Sequence, residues 1–248
     1  EHGFRLTASA LQEALTPRSK GLILNDPSNP AGAVYPPEEL KALGEVCREA
    51  GIWVIADEVY ECLVYEGRHY SLAALVPGGQ DRMVLVNGVS KSHAMTGWRL
   101  GYAVGPREVV AAMGSLQEHV TGNASSISQW AAVAALTGSQ ETVKTMEQEF
   151  ARRRAIMVEG LNRIPGFRCI PPAGAFYAFA DVGPVLGREV RGRQLTDDVT
   201  LAELLLEEAL VAAVPGTAFG YPGYMRFSFA TSVEKITEGL QRLHHLLR

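Results

Sequence analysis

Two side chains suited to holding a phosphorylated aldehyde stand close together in this sequence. An apolar run, Met83 to Val86, ends in Asn87-Gly88, and Lys91 follows on a Gly/Ser turn. Arg99 then precedes a second apolar run, Leu100 to Val104. Apolar runs of this length bounded by turn residues read as buried strands. Burial beside a strand end favours the neutral form of an amine, and a neutral amine condenses with aldehydes. A guanidinium fork suits a phosphate. A lysine and an arginine at one sheet edge therefore suggest an aldehyde cofactor that also carries a phosphate, pyridoxal phosphate. A surface pair flanking a hairpin is the plainer alternative.

Further residues at strand ends favour the chemical reading. Leu22 to Asn25 is a short strand, followed by the turn Asp26-Pro-Ser-Asn-Pro-Ala-Gly32. A helix begins at Pro36-Pro37, with Glu38 and Glu39 in its first turn and Leu40, Leu43, Val46, Cys47 and Ala50 on one face; Gly51 stops it. Ile52 to Ala56 is the next strand, with Asp57-Glu-Val-Tyr60 at its end. Strand, helix, strand at this spacing predicts parallel pairing with right-handed crossovers. Ligands of such sheets bind outside the carboxyl ends of the strands, where Asn29, Asp57, Tyr60 and Lys91 all fall. No crossover helix fits between Gly88 and Gly97, so the strand after Arg99 is expected to run antiparallel, which brings Arg99 to the same edge.

Each of these residues also has an ordinary use. Asp57 could cap a helix starting at Glu58, Tyr60 could be a core residue, and Asn29 could be turn chemistry. As a functional group, Asp57 would hold a protonated pyridine nitrogen, and Tyr60 and Asn29 would bond the ring's phenolic oxygen. Arg226 lies in an alternating strand, Met225 to Ala230, with Phe227 and Phe229 on the opposite face. It is a candidate bidentate carboxylate clamp, although a solvent-facing arginine is commoner.

The bulk properties exclude other classes. Of 248 residues 47% are apolar and 20% charged, the balance of a globular protein. A net charge of −4 gives no reason to expect nucleic acid or an anionic membrane as a partner. Cys47, Cys62 and Cys169 are widely spaced and read as core residues in a reducing, cytoplasmic compartment. No apolar run approaches membrane-spanning length, and no Walker loop, H-E-x-x-H or G-x-S-x-G is present. No metal site is expected, and His244-His245 read as surface. The absence of an initiator methionine suggests the later part of a longer protein.

The expected architecture is α/β. Residues 1–151 form part of a large domain, a mainly parallel sheet with helices on both faces. Residues 152–248 form a smaller α+β C-terminal domain, with the boundary inside a long helix, about Glu141 to Leu161. Other helices are expected from Arg107 to Val120, Ser128 to Leu136, Leu201 to Leu210 and Val233 to Leu247. The Arg- and Gly-rich stretch from Gly187 to Asp198 reads as an exposed insert.

Six segments in order resemble the class I/II aminotransferases of the fold-type I pyridoxal phosphate superfamily, most closely bacterial aspartate aminotransferases. They are Asn25-x-Pro-x-Asn-Pro-Ala-Gly32, Ala56-Asp-Glu-Val-Tyr60, Gly88-Val-Ser-Lys-Ser-x-Ala-Met-x-Gly-Trp-Arg-Leu-Gly101, Pro172-x-Gly-Ala-Phe-Tyr177, Pro215-Gly-x-Ala-Phe219 and Arg226-x-Ser-Phe-Ala230. The resemblance implies that Lys91 joins the cofactor and shuttles a proton. Asp57 would pair with the pyridine nitrogen, Tyr60 and Asn29 would bond the ring oxygen, Arg99 would hold the phosphate, and Arg226 the substrate α-carboxylate. Gly88 stands where many relatives carry a phosphate-binding serine; Ser90 is adjacent. The family's glycine-rich phosphate loop, the aromatic residue stacked on the ring and a tyrosine lent to a neighbouring subunit belong before Glu1. The implied activity is amino transfer from an amino acid, aspartate-like or similar, to a 2-oxo acid by a homodimer with shared sites. A pyridoxal phosphate lyase or synthase, or the effector domain of an aminotransferase-like transcriptional regulator, uses the same residues.

Overall fold

The computed structural model describes residues 3–248. The chain divides into two compact units, one of residues 1–28 and 33–147, the other of residues 29–32 and 148–248.

In the first unit the elements are α1 (Ala8–Ala14), β1 (Gly21–Asn25), α2 (Pro37–Glu49), β2 (Trp53–Asp57), α3 (Leu72–Leu75), β3 (Met83–Gly88), α4 (Val89–Ser92), β4 (Gly101–Val104), α5 (Arg107–Val120) and α6 (Ser126–Thr137), followed by α7 (Glu141–Asn162), in which the units part. The sheet order is β1-β2-β3-β4. β1, β2 and β3 are parallel, with Asn25 opposite Asp57 and Asp57 opposite Val86. β4 runs antiparallel to β3, Gly88 pairing with Gly101, as the missing crossover implied.

The core of this unit follows from the α2 pattern. Pro37 at its first turn and the Glu38 and Glu39 carboxylates suit the positive end of the helix, and Arg48 suits its last turn. Its apolar face packs with Leu24, Val54 and Met83 from the sheet and with Leu11 and Leu72. Leu40 and Leu43 are 1% and 0% exposed, and burying each contributes roughly 1.5–3 kcal/mol. Other apolar groups of the unit are not covered: Ile23 is 74% exposed, Trp130 73% and Val120 71%, and α5 buries none of its residues.

In the second unit the sheet order is β5 (Arg168–Cys169), β6 (Tyr177–Asp181), β10 (Tyr224–Ser228), β9 (Val214–Pro215), all antiparallel. Between them lie the hairpin β7 (Glu189–Val190) and β8 (Arg193–Gln194), then α8 (Asp198–Glu208); α9 (Val233–Leu247) closes the chain. Met225, Phe227 and Phe229 are at most 3% exposed, so the alternation in this strand does bury its aromatic face. A Cβ on Gly160 of α7 would come within 2.3 Å of the Leu240 side chain of α9, so this helix pair needs a glycine at the crossing. The stretch from Gly187 to Asp198 is ordered into the β7–β8 hairpin rather than an open insert. Its turn rests on Arg191 and Gly192, both in the left-handed region. The helix expected from Leu201 begins earlier because Asp197 caps it, accepting from the Thr200 amide at 2.7 Å.

Candidate active site

The first unit gathers Asp57, Tyr60, Ser90, Lys91 and Arg99 at the end of the sheet where the parallel strands finish. Asp57 closes β2, and Lys91 lies on the short helix α4 that leaves β3. The Lys91 Nζ stands 5.6 Å from the centre of the Tyr60 ring, and Tyr60 is 5% exposed. Ser90 is half-buried on α4, beside Lys91. Arg99 lies two residues before β4, exposed, with left-handed backbone (φ 53°, ψ 48°), and its Nη1 donates to the Thr96 carbonyl at 2.8 Å.

No helix follows Asp57. The residues after it form turns, with the Glu61 amide donating to the Glu58 carbonyl at 2.9 Å. Asp57 Oδ1 accepts from the Val59 amide at 3.3 Å, so the helix-cap alternative is not what the chain adopts. Its backbone is gripped from both neighbours. The Asp57 carbonyl accepts from the Asp26 amide and from Asn25 Nδ2, both at 3.1 Å, and the Glu58 amide donates to the Val86 carbonyl at 2.9 Å. Asn25 of the first motif therefore braces the strand end that carries Asp57.

Gly88 cannot easily be a serine here. A Cβ on it would stand 3.0 Å from the Leu100 carbonyl oxygen and 3.1 Å from the Gly101 Cα, so the facing strand would have to give by a few tenths of an ångström. The glycine follows from the close antiparallel pairing with β4.

The second unit holds the other two candidates. Arg226 Nη1 donates to Asn29 Oδ1 at 2.8 Å. Its guanidinium carbon lies 4.5 Å from the Tyr177 ring centre and 5.0 Å from that of Phe219, an arrangement that favours a cation through the ring faces. Arg226 is thus engaged rather than a bare surface arginine. The Asn29 segment is held by the Gly174 amide, which donates to the Gly32 carbonyl at 2.8 Å. Gly32 has φ +64°, and a Cβ there would strike Gly174 O at 2.5 Å, which accounts for the glycine in that motif.

Two positions escaped the reading of the sequence. Asp198, 0% exposed, accepts from the Thr217 amide and from the Thr217 hydroxyl, both at 2.7 Å. It thereby anchors the tight turn Gly216–Phe219 that carries the ring beside Arg226. Its only sequence signal is an acid at a helix start, which is common. The other is His69, half-buried, with its ring between carboxylates of Asp26 and Glu58. Burial alone would lower its pKa, but the two carboxylates outweigh this and raise it to about 9. Glu58, Glu61 and His69 bring metal-ligand atoms within 4.8 Å of one another, and the ring nitrogens stand at ion-pair distance from Asp26 and Glu58 without hydrogen-bond geometry. Burial pushes the Cys47 thiol up to about 11 and that of Cys169 to about 12, so both are core residues with little thiolate at neutral pH.

Among the described residues no helix is long and apolar enough to cross a membrane. Residues 1–243 match the family described as aminotransferase class I and II. The aspartate aminotransferase of Geobacillus stearothermophilus is 46% identical over 248 residues, which is all of this chain and 62% of that protein. That of Rhizobium meliloti strain 1021 is 47% identical over 244 residues, 97% of this chain and 60% of the relative. The crystal structure of the Rhizobium meliloti aspartate aminotransferase superposes with a TM-score of 0.95 at 45% identity, covering 99% of this chain and 62% of that one. An aromatic aminotransferase from Pyrococcus horikoshii OT3 superposes at 0.91 with 37% identity, covering 99% of this chain and 64% of its own. The chain therefore spans about 60% of the length of the relatives it matches, and it belongs to the class I and II aminotransferase family.

Proposed function

We propose that this protein is a pyridoxal phosphate-dependent aminotransferase that moves an amino group from an aspartate-like amino acid to a 2-oxo acid. The observation that carries this is one of register. Asp57 closes β2, Lys91 follows the end of the adjacent parallel β3, and Arg99 precedes the antiparallel strand whose first residue pairs with the last residue of β3. A carboxylate, an amine and a guanidinium match the cofactor's pyridine nitrogen, aldehyde and phosphate one for one, so the donor set fits the group.

When bound, the cofactor supplies an aldehyde for the amino group and a ring that accepts the electrons left behind by the α-proton. Lys91 would hold the aldehyde end of the cofactor and serve as the base and acid for the substrate α-proton. Asp57 would face the ring nitrogen and favour its protonated form. Tyr60 and Asn29 would donate to the phenolic oxygen, Arg99 and Ser90 would hold the phosphate, and Arg226 would hold the substrate carboxylate. The aspartate aminotransferase relatives support the aspartate-like donor, and the resemblance supports a cytoplasmic homodimer with a large cofactor-binding domain to residue 151 and a small domain after it.

The test uses the full-length protein. Borohydride reduction after loading with pyridoxal phosphate should label the peptide containing Lys91, and adding aspartate alone should shift the cofactor absorbance as the amino group moves. A label on another lysine, or no spectral change with any amino acid in a panel of donors, overturns the reading.

A further inference from the structure

His69 is a half-buried residue, its side chain 9% exposed, that none of the assigned roles uses. It lies between two acids from different strand ends. Its Nδ1 is 3.5 Å from Asp26 Oδ2, and its Nε2 is 3.2 Å from Glu58 Oε2. Both acids are themselves buried, at 3% and 4% exposure. Their remaining oxygens are committed. Asp26 Oδ1 accepts from the Tyr35 amide at 3.2 Å, and Glu58 Oε1 accepts from the Ser71 hydroxyl at 2.9 Å and the Leu72 amide at 3.2 Å. Two buried carboxylates facing one ring repel each other unless the ring is charged, and an uncompensated buried charge is expensive. The raised pKa of the imidazole agrees with that geometry.

The two acids are also the residues that hold Asp57. Asp26 donates its amide to the Asp57 carbonyl, and Glu58 follows Asp57 and donates its amide to Val86. Fixing Asp26 to Glu58 through one cation therefore fixes the peptide on either side of Asp57.

We propose that His69 is a positioning residue: as an imidazolium bridging Asp26 and Glu58 it ties the ends of β1 and β2 together and sets the orientation of Asp57. The inference rests on the assignment of Asp57 as partner of the ring nitrogen, and it adds a pH dependence to that site. The folded-state pKa lies above the ordinary histidine value, so the tie is complete below about pH 6.5 and is lost as pH rises through about 9. The other ionisable groups facing the ring's surroundings are Glu61 in the turn after β2 and Tyr35 beside Asp26. Tyr102 on β4 is affected by Glu58 and Glu61, and Arg68, Cys62, Lys144 and Glu147 line the adjoining cleft. Burial, the largest cause in each case, raises the pKa of Tyr35 and Tyr102, moving both further from the neutral range.

Two measurements test this. The first needs no cofactor: hydrogen-exchange protection of the Asp26 and Glu58 amides, with amides inside α2 as reference. In the unaltered protein protection at these two amides should fall selectively between pH 8 and pH 10. In His69→Gln it should already be low at pH 7 and change little with pH. Protection that stays level across that range in the unaltered protein overturns the proposal, even if the variant does not fold. The second is a double-mutant cycle on the affinity of the full-length protein for pyridoxal phosphate, using His69→Gln and Asp57→Asn. His69→Gln should raise the dissociation constant about tenfold and add little in the Asp57→Asn background. An equal loss in both backgrounds makes His69 merely structural and overturns the proposal. If Asp57→Asn leaves cofactor affinity unchanged, the assignment of Asp57 falls, and the exchange measurement alone decides whether His69 ties the strand ends.

Discussion

Arg99 and Arg226 carry the same fork but stand in opposite surroundings. Arg99 is exposed, in left-handed backbone, and bonds a carbonyl of its own turn. Arg226 is bonded to Asn29 and flanked by the Tyr177 and Phe219 rings, on a strand whose other face is fully buried. The first is held by its backbone conformation and the second by its neighbours. A group held by packed neighbours is preorganised for one anion geometry, because little side-chain freedom is left to lose on binding. The difference suits the proposed roles: Arg99 for a phosphate on a cofactor that stays, Arg226 for a carboxylate that is exchanged in every turnover.

The sharpest way to test the division is to damage the first unit without touching either arginine. Asp57→Ala removes the counter-charge of the ring nitrogen, and proton abstraction should slow roughly a thousandfold in stopped-flow half-reactions, with the substrate dissociation constant little changed. Near wild-type turnover would reduce Asp57 to a turn residue bonded to Val59.

Exchanging the arginines for lysines comes next in size. A lysine keeps the charge but loses the two-pronged geometry, a loss of roughly 1.5–3 kcal/mol for a charge-assisted bond. Arg226→Lys should therefore lower half-reaction efficiency for amino and oxo acids at least about tenfold, leaving cofactor affinity close to normal. Arg99→Lys should raise the cofactor dissociation constant first. Paired titrations of cofactor and substrate on each variant check both, and a crossed result breaks the comparison.

The smallest effect tests the aromatic support itself. Phe219→Leu keeps apolar bulk beside Arg226 but removes a ring face, worth about 0.5–1 kcal/mol at a partly exposed site. Substrate affinity should fall about two- to fivefold with the maximal rate unchanged. An unchanged affinity would mean that Asn29 and Tyr177 suffice to hold the arginine.

A similar contrast separates the helices. In α2 and α9 the apolar periodicity is matched by burial: Leu40, Leu43, Ile236, Leu243 and Leu247 are at most 3% exposed. In α5 and α6 it is not, and Leu116, Val120, Ile127 and Trp130 are 65–73% exposed. Periodicity reports which face of a helix is apolar; it does not report what covers that face.

Much of the candidate site is legible in the order of residues alone. The parallel strands, the antiparallel β4 and the placement of Asp57 and Lys91 at strand ends follow from apolar runs, turn residues and the lack of room for a crossover. These are local properties of the chain, and the periods of 2 and 3.6 carry them directly. The left-handed Arg99, the hairpin within residues 187–198 and the early start of α8 are not legible there, because each depends on a turn or cap that many sequences share.

What the sequence determined by itself is the order of elements and the kinds of group at their ends: an amine, a carboxylate and two guanidiniums in motifs of defined spacing. What only the tertiary structure decided is which partners hold those groups. His69 lies 43 residues after Asp26, Thr217 lies 19 after Asp198, and Arg226 lies 197 after Asn29. No local pattern encodes such pairings. Around Asp26 and Asp198 folding removes water from two or three polar groups at once, so that the cost of leaving one unpaired selects the neighbour that completes it.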